Sequence, residues 1–295
     1  MSNLELIFKP TREQESINLY SQTAEDLKLV CEASSEVKII ISYCTFRTLS
    51  FVISNLTSIY IEDSSIPEFN GFSLPKLKKL TVSQCKFSSG PRSEVVFQNN
   101  DFPEIQEIIL NDCGLQRFSL SSSSLKKLDL SSNLLKSFLC DYPKLKLLNL
   151  KSNCLETFEV TPEGTNSLIK LNLSCNKSGS SVLSFKGSYP NLAKLYLNGT
   201  LSDIDAYMPK IDEVNLDETG ITFVPVFSQT LQVLSANKNR ITKFADYKFP
   251  NLKTLSLESN TLSELQADFP NLKTLRFKNN PLKIINLNLP SLESF

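Results

Sequence analysis

The side chains best suited to chemistry in this chain are its seven cysteines and its 31 aspartates and glutamates, because the sequence contains no histidine. A chain without histidine cannot form a Ser-His or Cys-His nucleophile pair, and it lacks both the commonest metal ligand and the usual base near neutral pH. The cysteines are odd in number and show no tight pair spacing. That pattern favours buried, reduced thiols over disulfides or a metal site.

Carboxylates could act as a general acid and a general base if two of them lay close together in a dry pocket. Asp112 and Asp129 are the best pair, since they occupy consecutive copies of the repeat described below, and strands of adjacent copies lie about 4.8 Å apart. No third group accompanies them, and an open sheet leaves them in water. The chain is therefore predicted not to be an enzyme, and a carboxylate enzyme is kept as a third hypothesis.

Metal and cofactor sites are not expected either, and the sequence predicts no cofactor. Asp217 and Glu218 are adjacent, but the residues around them lack the compact ligand loop that a divalent cation requires. Eight glycines leave little material for a phosphate-binding loop. The equal totals of 31 basic and 31 acidic residues argue against a general nucleic-acid binder, which needs a basic stripe.

A repeated apolar pattern must position whatever site the chain carries. The pattern L-x-x-L-x-L-x-x-N/C/T-x-L is clearest in the copies that begin at Leu125, Leu145, Leu252 and Leu272. A degenerate copy surrounds Ile39 and Ile41. About twelve units result, mostly about 20 residues apart, with an insertion at residues 88–104. Weaker copies begin at Leu56, Leu77, Ile105, Leu168, Leu192, Ile211 and Leu231.

Each position of the unit, counted from its first leucine, has a predicted role. Positions four and six point the same way from a short strand and face a core, because side chains alternate along a strand. An asparagine at position nine can satisfy backbone groups in neighbouring turns and so form a ladder. The remaining return arm is too short for a full helix, so it is expected to be extended or 3₁₀. Position nine is Asn133, Asn153, Asn176, Asn239, Asn260 and Asn280 in later units, and Cys44, Cys85 and Cys113 in earlier ones.

These copies resemble the leucine-rich-repeat family over roughly residues 36–295. The resemblance implies an α/β-type solenoid, namely a right-handed leucine-rich-repeat horseshoe with a parallel concave β-sheet and an extended or 3₁₀ convex side. Cysteine at position nine is a known substitute in the family. Short units with proline just before the next strand, as at Tyr142-Pro143 and Phe249-Pro250, resemble bacterial effector leucine-rich repeats, although the double-proline signature typical of that subclass is absent.

The two ends of the repeat array are predicted to differ from its middle. Solenoids expose apolar surface at their ends and need caps. Residues 1–35 are predicted to form an N-terminal cap with a short helix, for which Thr23 is the N-cap and Glu25 and Asp26 lie in the first turn. A separate binding element is the alternative for this segment. Residues 36–295 are predicted to hold about twelve repeats and a truncated one.

Function is expected on the concave sheet, where positions three, five, seven and eight face solvent. Ile40, Tyr60 and Ile109 share the central column, and they form either a contact patch or a surface that the N-terminal segment covers. Acidic and basic sectors beside them either steer a partner or are solvated surface. The predicted partner-binding residues are Ile40, Tyr60, Glu62, Asp63, Ile109, Asn111, Asp112, Asp129, Lys170, Tyr196, Asp217, Glu218, Lys238, Arg276 and Lys278.

The leading hypothesis is a non-catalytic module that binds another protein, such as an enzyme or another effector, through its concave face. It would act as a bacterial effector or regulator that covers an enzyme's active site. The alternative is a pattern-recognition or adaptor domain that binds a glycan or a lipid. Residues 1–20 contain no signal peptide and no window is apolar enough to span a membrane. The chain is thus expected to be a monomer on its own, without a membrane or nucleic-acid partner, and to be cytoplasmic or secreted into a host cell without a cleaved signal peptide.

Overall fold

The computed structural model describes residues 3–8, 16–31, 36–66, 74–87, 94–97, 102–176, 183–199, 201–245 and 247–294. The chain divides into two compact units, an N-terminal unit of residues Met1–Asn149 and a C-terminal unit of residues Leu150–Phe295. Each unit is a stretch of parallel-strand solenoid, in which one short strand per repeat joins a main sheet and the return arm runs back on the other side of the core.

Neighbouring strands in the main sheet of the N-terminal unit pair in parallel. Its strands pair in sequence order, and each residue at the centre of one strand lies beside its counterpart in the next. Parallel pairing of consecutive strands requires a crossover after each one, which the return arm provides. The strands are Ser16–Tyr20, Val37–Ser42, Leu56–Glu62, Lys79–Ser83, Glu107–Asn111, Lys127–Asp129 and Leu147–Asn149.

The main sheet of the C-terminal unit follows the same rule with shorter strands. Neighbouring strands again pair in parallel, with Leu171, Leu195 and Val214 in one register row. The strands are Lys170–Asn172, Lys194–Tyr196, Glu213–Asn215, Val233–Ser235, Thr254–Ser256 and Thr274–Arg276.

Among the described residues, most return arms contain extended segments, which is one of the two predicted forms, and many of these segments pair with their neighbours as short parallel strands. A helix at Pro162–Ser167, whose N-cap Thr161 accepts a hydrogen bond from the Gly164 amide, interrupts this pattern. Of the insertion at 88–104, the described part includes Glu94–Val96, which pairs with Arg117–Ser119. The return-arm strands are Leu4–Phe8, Thr23–Cys31, Thr45–Ile53, Ser65–Ile66, Lys86–Phe87, Glu94–Val96, Arg117–Ser119, Ser137–Cys140, Thr157–Val160, Leu183–Ser188, Leu201–Tyr207, Lys243–Phe244, Glu264–Asp268 and Ile284–Asn288.

The core lies between the main sheet and the return arms, and the leucines of the repeat fill it. In the unit that begins at Leu125, the leucines at positions one, four, six and eleven are all fully buried. The same holds at Leu252, Leu255, Leu257 and Leu262. Each such side chain contributes about 1.5–3 kcal/mol by leaving water, so burial of this single face of the strand fixes its register.

Every main strand ends in a turn whose position-eight residue has a positive φ. The values for the non-glycine residues lie between 47° and 59°, a left-handed conformation that costs an L-residue about 1–2 kcal/mol. Gly199, with φ 78°, holds the same position in its unit. The non-glycine residues are Ser21, Tyr43, Asp63, Gln84, Asp112, Ser132, Ser152, Cys175, Glu218, Lys238, Ser259 and Asn279.

Position nine forms the predicted ladder between turns. Asn133 Nδ2 donates to the Leu110 carbonyl at 2.7 Å, and Asn133 Oδ1 accepts from the amides of Cys113 and Leu115 at 3.1 and 3.0 Å. In the earlier units a cysteine replaces the asparagine, and Cys113 Sγ lies 3.4 Å from the Val82 carbonyl that it contacts as a donor. The ladder therefore accounts for three of the seven free cysteines.

The helix predicted near Thr23 is wrong, because Thr23–Cys31 is a strand. It pairs in parallel with Leu4–Phe8 on one side and Thr45–Ile53 on the other. Leu27, Leu29 and Cys31 alternate inward and are buried, which is the period of a strand. Ser16–Tyr20, also within the predicted cap, is a strand of the main sheet. Packing between two neighbouring strands has overridden local helix propensity.

Candidate functional site

The open face of the main sheet is the surface formed by positions three, five and seven, together with the turns at position eight. The structure places the predicted site residues on this face in both units. In the N-terminal unit, Ile40, Tyr60, Thr81 and Ile109 are consecutive partners in the central row of the sheet. The predicted alignment of Ile40, Tyr60 and Ile109 is therefore present, although Ile109 is half-buried.

Two residues of this row, Ile40 and Tyr60, and two residues beside it, Tyr20 and Tyr43, form what we call the tyrosine patch. Their exposed fractions are 38%, 37%, 66% and 53%, in that order. The Tyr20 and Tyr43 rings meet edge to face, with centroids 5.3 Å apart and an interplanar angle of 67°. Exposed aromatic rings on neighbouring strands keep much of their apolar area in water, so they have surface left to bury against a partner.

Glu62 and Asp63 border the tyrosine patch and bring negative charge to it. The Tyr60 hydroxyl donates to Glu62 Oε2 at 2.6 Å, and the Ser42 hydroxyl donates to Glu62 Oε1 at 3.0 Å. The hydrogen bond to Glu62 raises the pKa of Tyr60. The negative charge of Asp63 raises the pKa of Tyr43 above its ordinary value. The 2.6 Å hydrogen bond places the Tyr60 hydroxyl against a carboxylate at the edge of the patch.

Asn111, Asp112 and Asp129 continue the open face of the N-terminal unit. Asn111 Oδ1 accepts a hydrogen bond from Ser83 at 2.7 Å, whereas Asp112 is exposed at its turn. Asp129 Oδ1 accepts from the amide and the hydroxyl of Ser131, and its Oδ2 accepts from Asn149 at 2.9 Å. The Asp129 carboxylate is thus engaged in holding the turn that follows its strand and the strand beside it.

In the C-terminal unit, Lys170 and Tyr196 belong to a cluster with two further residues. Lys170 Nζ lies 5.1 Å from the centroid of the Tyr196 ring, a cation–π contact. The Tyr196 hydroxyl and Lys194 Nζ both donate to Glu213, each at 2.6 Å. Burial acts to raise the pKa of Glu213, but the bonds from Lys194 and Tyr196 outweigh it and lower that pKa. Burial and the bond to Glu213 raise the pKa of Tyr196.

The acidic residues predicted near the middle of the C-terminal unit have partners. Asp217 Oδ1 accepts from Ser235 Oγ at 2.8 Å and from the Asn237 amide at 2.6 Å. Glu218 forms an ion pair with Lys238 at 2.7 Å. Further along the same face, Arg276 and Lys278 are exposed. This part of the face therefore carries local charge pairs and then a basic end.

Two members of the tyrosine patch were absent from the predicted set. Tyr20 was missed because its strand was assigned to the cap, although the alternation of Ile17, Leu19 and their neighbours is a strand signal. Tyr43 occupies position eight, which the repeat assigns to solvent, but nothing in the sequence shows that it meets Tyr20. Lys194 and Glu213 occupy solvent-facing positions of the repeat but were not in the predicted partner-binding set, since a single sequence does not reveal which charges pair across strands.

Other surfaces offer fewer features that point to a site. A groove of about 610 Å³ lies on the return-arm side of the C-terminal unit, where Tyr247, Gln266, Asp268, Asn286 and Asn288 are among its lining residues. Within the described ranges, no cluster of three or more Cys, Asp or Glu residues is arranged to hold a metal ion. No helix in that part of the chain has the length and apolarity to cross a bilayer.

The in-register repeat, the parallel sheet and the position-nine ladder together define a leucine-rich-repeat solenoid. A family model described as Leucine Rich repeats (2 copies) matches residues 229–267. Among solved structures, YopM from Yersinia enterocolitica WA-314 is similar to this chain, with 16% sequence identity and a TM-score of 0.46. That similarity covers 95% of this chain and 78% of the YopM chain. No curated protein matches the sequence.

Proposed function

We propose that this chain is a non-catalytic protein–protein interaction module that binds a partner protein through the open face of its main sheet. The observation that carries the proposal is the tyrosine patch. Its four large side chains come from three neighbouring strands of the sheet and the turn after one of them, and all four are exposed. Residues of this kind dominate binding energy at protein interfaces, because their apolar area leaves water when a partner docks.

The rest of the open face supports the proposal through its charges. The ion pairs Lys194–Glu213 and Lys238–Glu218 and the contact of Lys170 with Tyr196 lie on the same side of the C-terminal unit. Charged groups at the edge of an interface contribute mainly to the association rate and to the choice of partner, while exposed pairs add little affinity. Within the C-terminal unit, we assign them the role of orienting a partner that binds this part of the sheet.

Binding of this kind acts by occupying the partner. If the partner is an enzyme, coverage of its active site would inhibit it, as expected for an effector or a regulator. A standard interface buries about 800 Å² on each side. A sheet with several exposed rows in each unit offers that area.

The proposal is tested by affinity capture with crosslinking from lysates of candidate source cells. The test variant is Ile40→Asp/Tyr60→Ala, which removes two members of the tyrosine patch. The matched control is Phe223→Ala/Val226→Asp, which makes the same kind of change at two residues that are 68% and 90% exposed outside the open face. We expect the wild type and the control to retain the same stoichiometric protein and the test variant to lose it.

Both variants change exposed residues, so each should keep the thermal midpoint of the wild type within a few degrees. A partner retained equally by the wild type and by the folded test variant would contradict the proposal. The return-arm groove near Tyr247 would then be the next candidate site, and glycan or lipid binding would be tested there.

A further inference from the structure

The acidic residues on the open face differ in whether a cation accompanies them. Glu107 lies between Lys79 and Lys127, at 3.6 and 2.6 Å, and Glu213 and Glu218 are paired with Lys194 and Lys238 at 2.6 and 2.7 Å. Among the described residues, Glu62 and Asp63 have no basic side chain within ion-pair distance. The negative charge beside the tyrosine patch is therefore uncompensated within the described part of the chain.

The lysines on the two neighbouring strands do not form ion pairs with these carboxylates. Lys38 lies two residues before Ile40, towards the other end of the same strand, and pairs in register with Ser58. Lys79 is held towards Glu107. Glu62 lies at position seven, at the end of its strand, and Asp63 at position eight, in the turn that follows. The same two positions of the preceding strand hold Ser42 and Tyr43, and those of the next strand hold Ser83 and Gln84, none of which is basic.

The rings beside these carboxylates add a second attraction for a cation. The face of a tyrosine ring carries partial negative charge and attracts an ammonium or a guanidinium group placed over it. Tyr20 and Tyr43 meet edge to face and remain more than half exposed, so ring surface is accessible on both. The rings therefore offer apolar contact to a side-chain stem while the carboxylates attract its charged end.

We propose that the tyrosine patch, with Glu62 and Asp63, seats arginine or lysine side chains from a basic segment of the partner protein. This inference rests on the proposed function, because it specifies the chemistry of a partner bound at that same site. Charge complementarity selects the occupant. Burying the patch under an acidic or neutral segment would leave two carboxylates without a counter-charge, and that is costly.

The proton affinity of the tyrosines agrees with this assignment. Asp63 raises the pKa of Tyr43 mainly through its charge, and the hydrogen bond to Glu62 raises the pKa of Tyr60. A site that disfavours a phenolate disfavours an incoming anion for the same reason and favours a cation.

The test begins with phage-displayed random dodecapeptides selected on the immobilised full-length protein. Selected peptides are synthesised, and their Kd values are measured for the wild type and for three new variants, together with Ile40→Asp/Tyr60→Ala. Glu62→Gln/Asp63→Asn removes the charges, and Tyr43→Leu removes a ring but keeps apolar bulk. Glu293→Gln is the control, since it removes an exposed acid outside the proposed site that is already paired with Lys273 at 2.8 Å.

We expect the selected peptides to be enriched in arginine and lysine and to bind about tenfold more weakly to each of the first two variants. The control should change affinity by less than about twofold. Raising salt from about 50 to about 300 mM should weaken wild-type binding but leave the Glu62→Gln/Asp63→Asn variant much less affected.

The possible failures are distinguishable. Peptides that lose binding in Ile40→Asp/Tyr60→Ala but carry no basic enrichment would overturn the cation assignment and leave the proposed function intact. Peptides that bind all variants equally would count against the patch as a binding site and so against both proposals. Selection that enriches no peptide would also overturn the cation assignment, because a basic segment alone would then be insufficient for recognition.

Discussion

Asn260 shows how a single side chain holds adjacent turns of the solenoid together. Its Oδ1 accepts a hydrogen bond from the Ile241 amide at 3.1 Å, and its Nδ2 donates to the carbonyls of Ala236 and Leu257 at 2.9 and 3.0 Å. The side chain is 6% exposed, so water does not replace these partners when it is removed. Backbone groups left unpaired in a buried site cost about 1–3 kcal/mol each.

Replacement of this asparagine gives a prediction at the residue scale. Asn260→Ala should lower the free energy of unfolding by about 2–4 kcal/mol, because it leaves buried donors and acceptors without partners. Asn260→Cys should cost less than Asn260→Ala, since Cys113 Sγ already contacts a backbone carbonyl from the same position. Urea unfolding followed by circular dichroism measures both values.

The control for this prediction is Asn286→Ala, which removes an exposed asparagine whose backbone is not left-handed. It should change the free energy of unfolding by less than about 0.5 kcal/mol. If Asn260→Ala were as stable as Asn286→Ala, the ladder would contribute nothing to stability and the role assigned to position nine would be incorrect.

The turn at position eight is an element that recurs at the end of every main strand. Its positive φ turns the chain out of the sheet so that the next residue, at position nine, points into the core. The residues that adopt it include Ser132, Glu218 and Lys238, and Gly199 is the glycine among them. The fold therefore tolerates the strain of the left-handed conformation at almost every repeat, because the sheet and the ladder fix the backbone on both sides.

A prediction at the element scale concerns Ser132, which is exposed and has φ 57°. Ser132→Gly should raise the free energy of unfolding by up to about 1 kcal/mol, because glycine adopts this conformation without a Cβ clash. Ser132→Val should lower it by about 1–2 kcal/mol, since a β-branched side chain is strained there. Urea midpoints at constant m-value provide the measurement.

Ser123→Gly is the matched control, because Ser123 is exposed and is not among the residues with positive φ. There glycine should lower the free energy of unfolding slightly by increasing the freedom of the unfolded chain. Equal effects of glycine at both positions would show that the change in the free energy of unfolding comes from the unfolded state alone and not from the turn.

Buried thiol and phenol groups make the free energy of unfolding depend on pH in the alkaline range. Burial raises the pKa of Cys85 to about 11 and those of Cys113 and Cys140 to about 12, from an ordinary value of 9.0. Burial also raises the pKa of Tyr142. In each case the folded state binds the proton more tightly than the unfolded state, so these groups stabilise the fold fully below pH 9 and lose that contribution as pH rises through their folded pKa values.

The corresponding prediction at the scale of the whole molecule is a loss of stability between about pH 9 and pH 12. The free energy of unfolding, measured with urea and a reductant, should be constant from pH 7 to 8.5 and should fall at each step above it. Cys113→Asn removes one of the titrating thiols while supplying the asparagine of later repeats, so its decline should be shallower. A wild-type profile that stays flat up to pH 11 would contradict the raised thiol pKa values.

The sequence by itself determined the repeat, and with it most of the fold. Leucines at positions one, four, six and eleven can be buried together only if each unit forms a strand and a return, so the core, the strand direction and the open face follow from their spacing. The ladder was predictable for the same reason, since Asn133 and Asn260 recur at one position of the unit. The alignment of Ile40, Tyr60 and Ile109 followed from the period alone.

Only the tertiary structure decided the remaining features, because they depend on contacts between residues with no shared pattern. Thr23–Cys31 became a strand through pairing with strands on both sides, against a local signal for a helix. That pairing accompanies the placement of Tyr20 on the main sheet, where it meets Tyr43. Likewise, cross-strand distances of a few ångströms pair Glu213 with Lys194 and Glu218 with Lys238, whereas no described basic side chain pairs with Glu62 or Asp63. Side-chain proximity of that kind is not encoded in the spacing of a repeat.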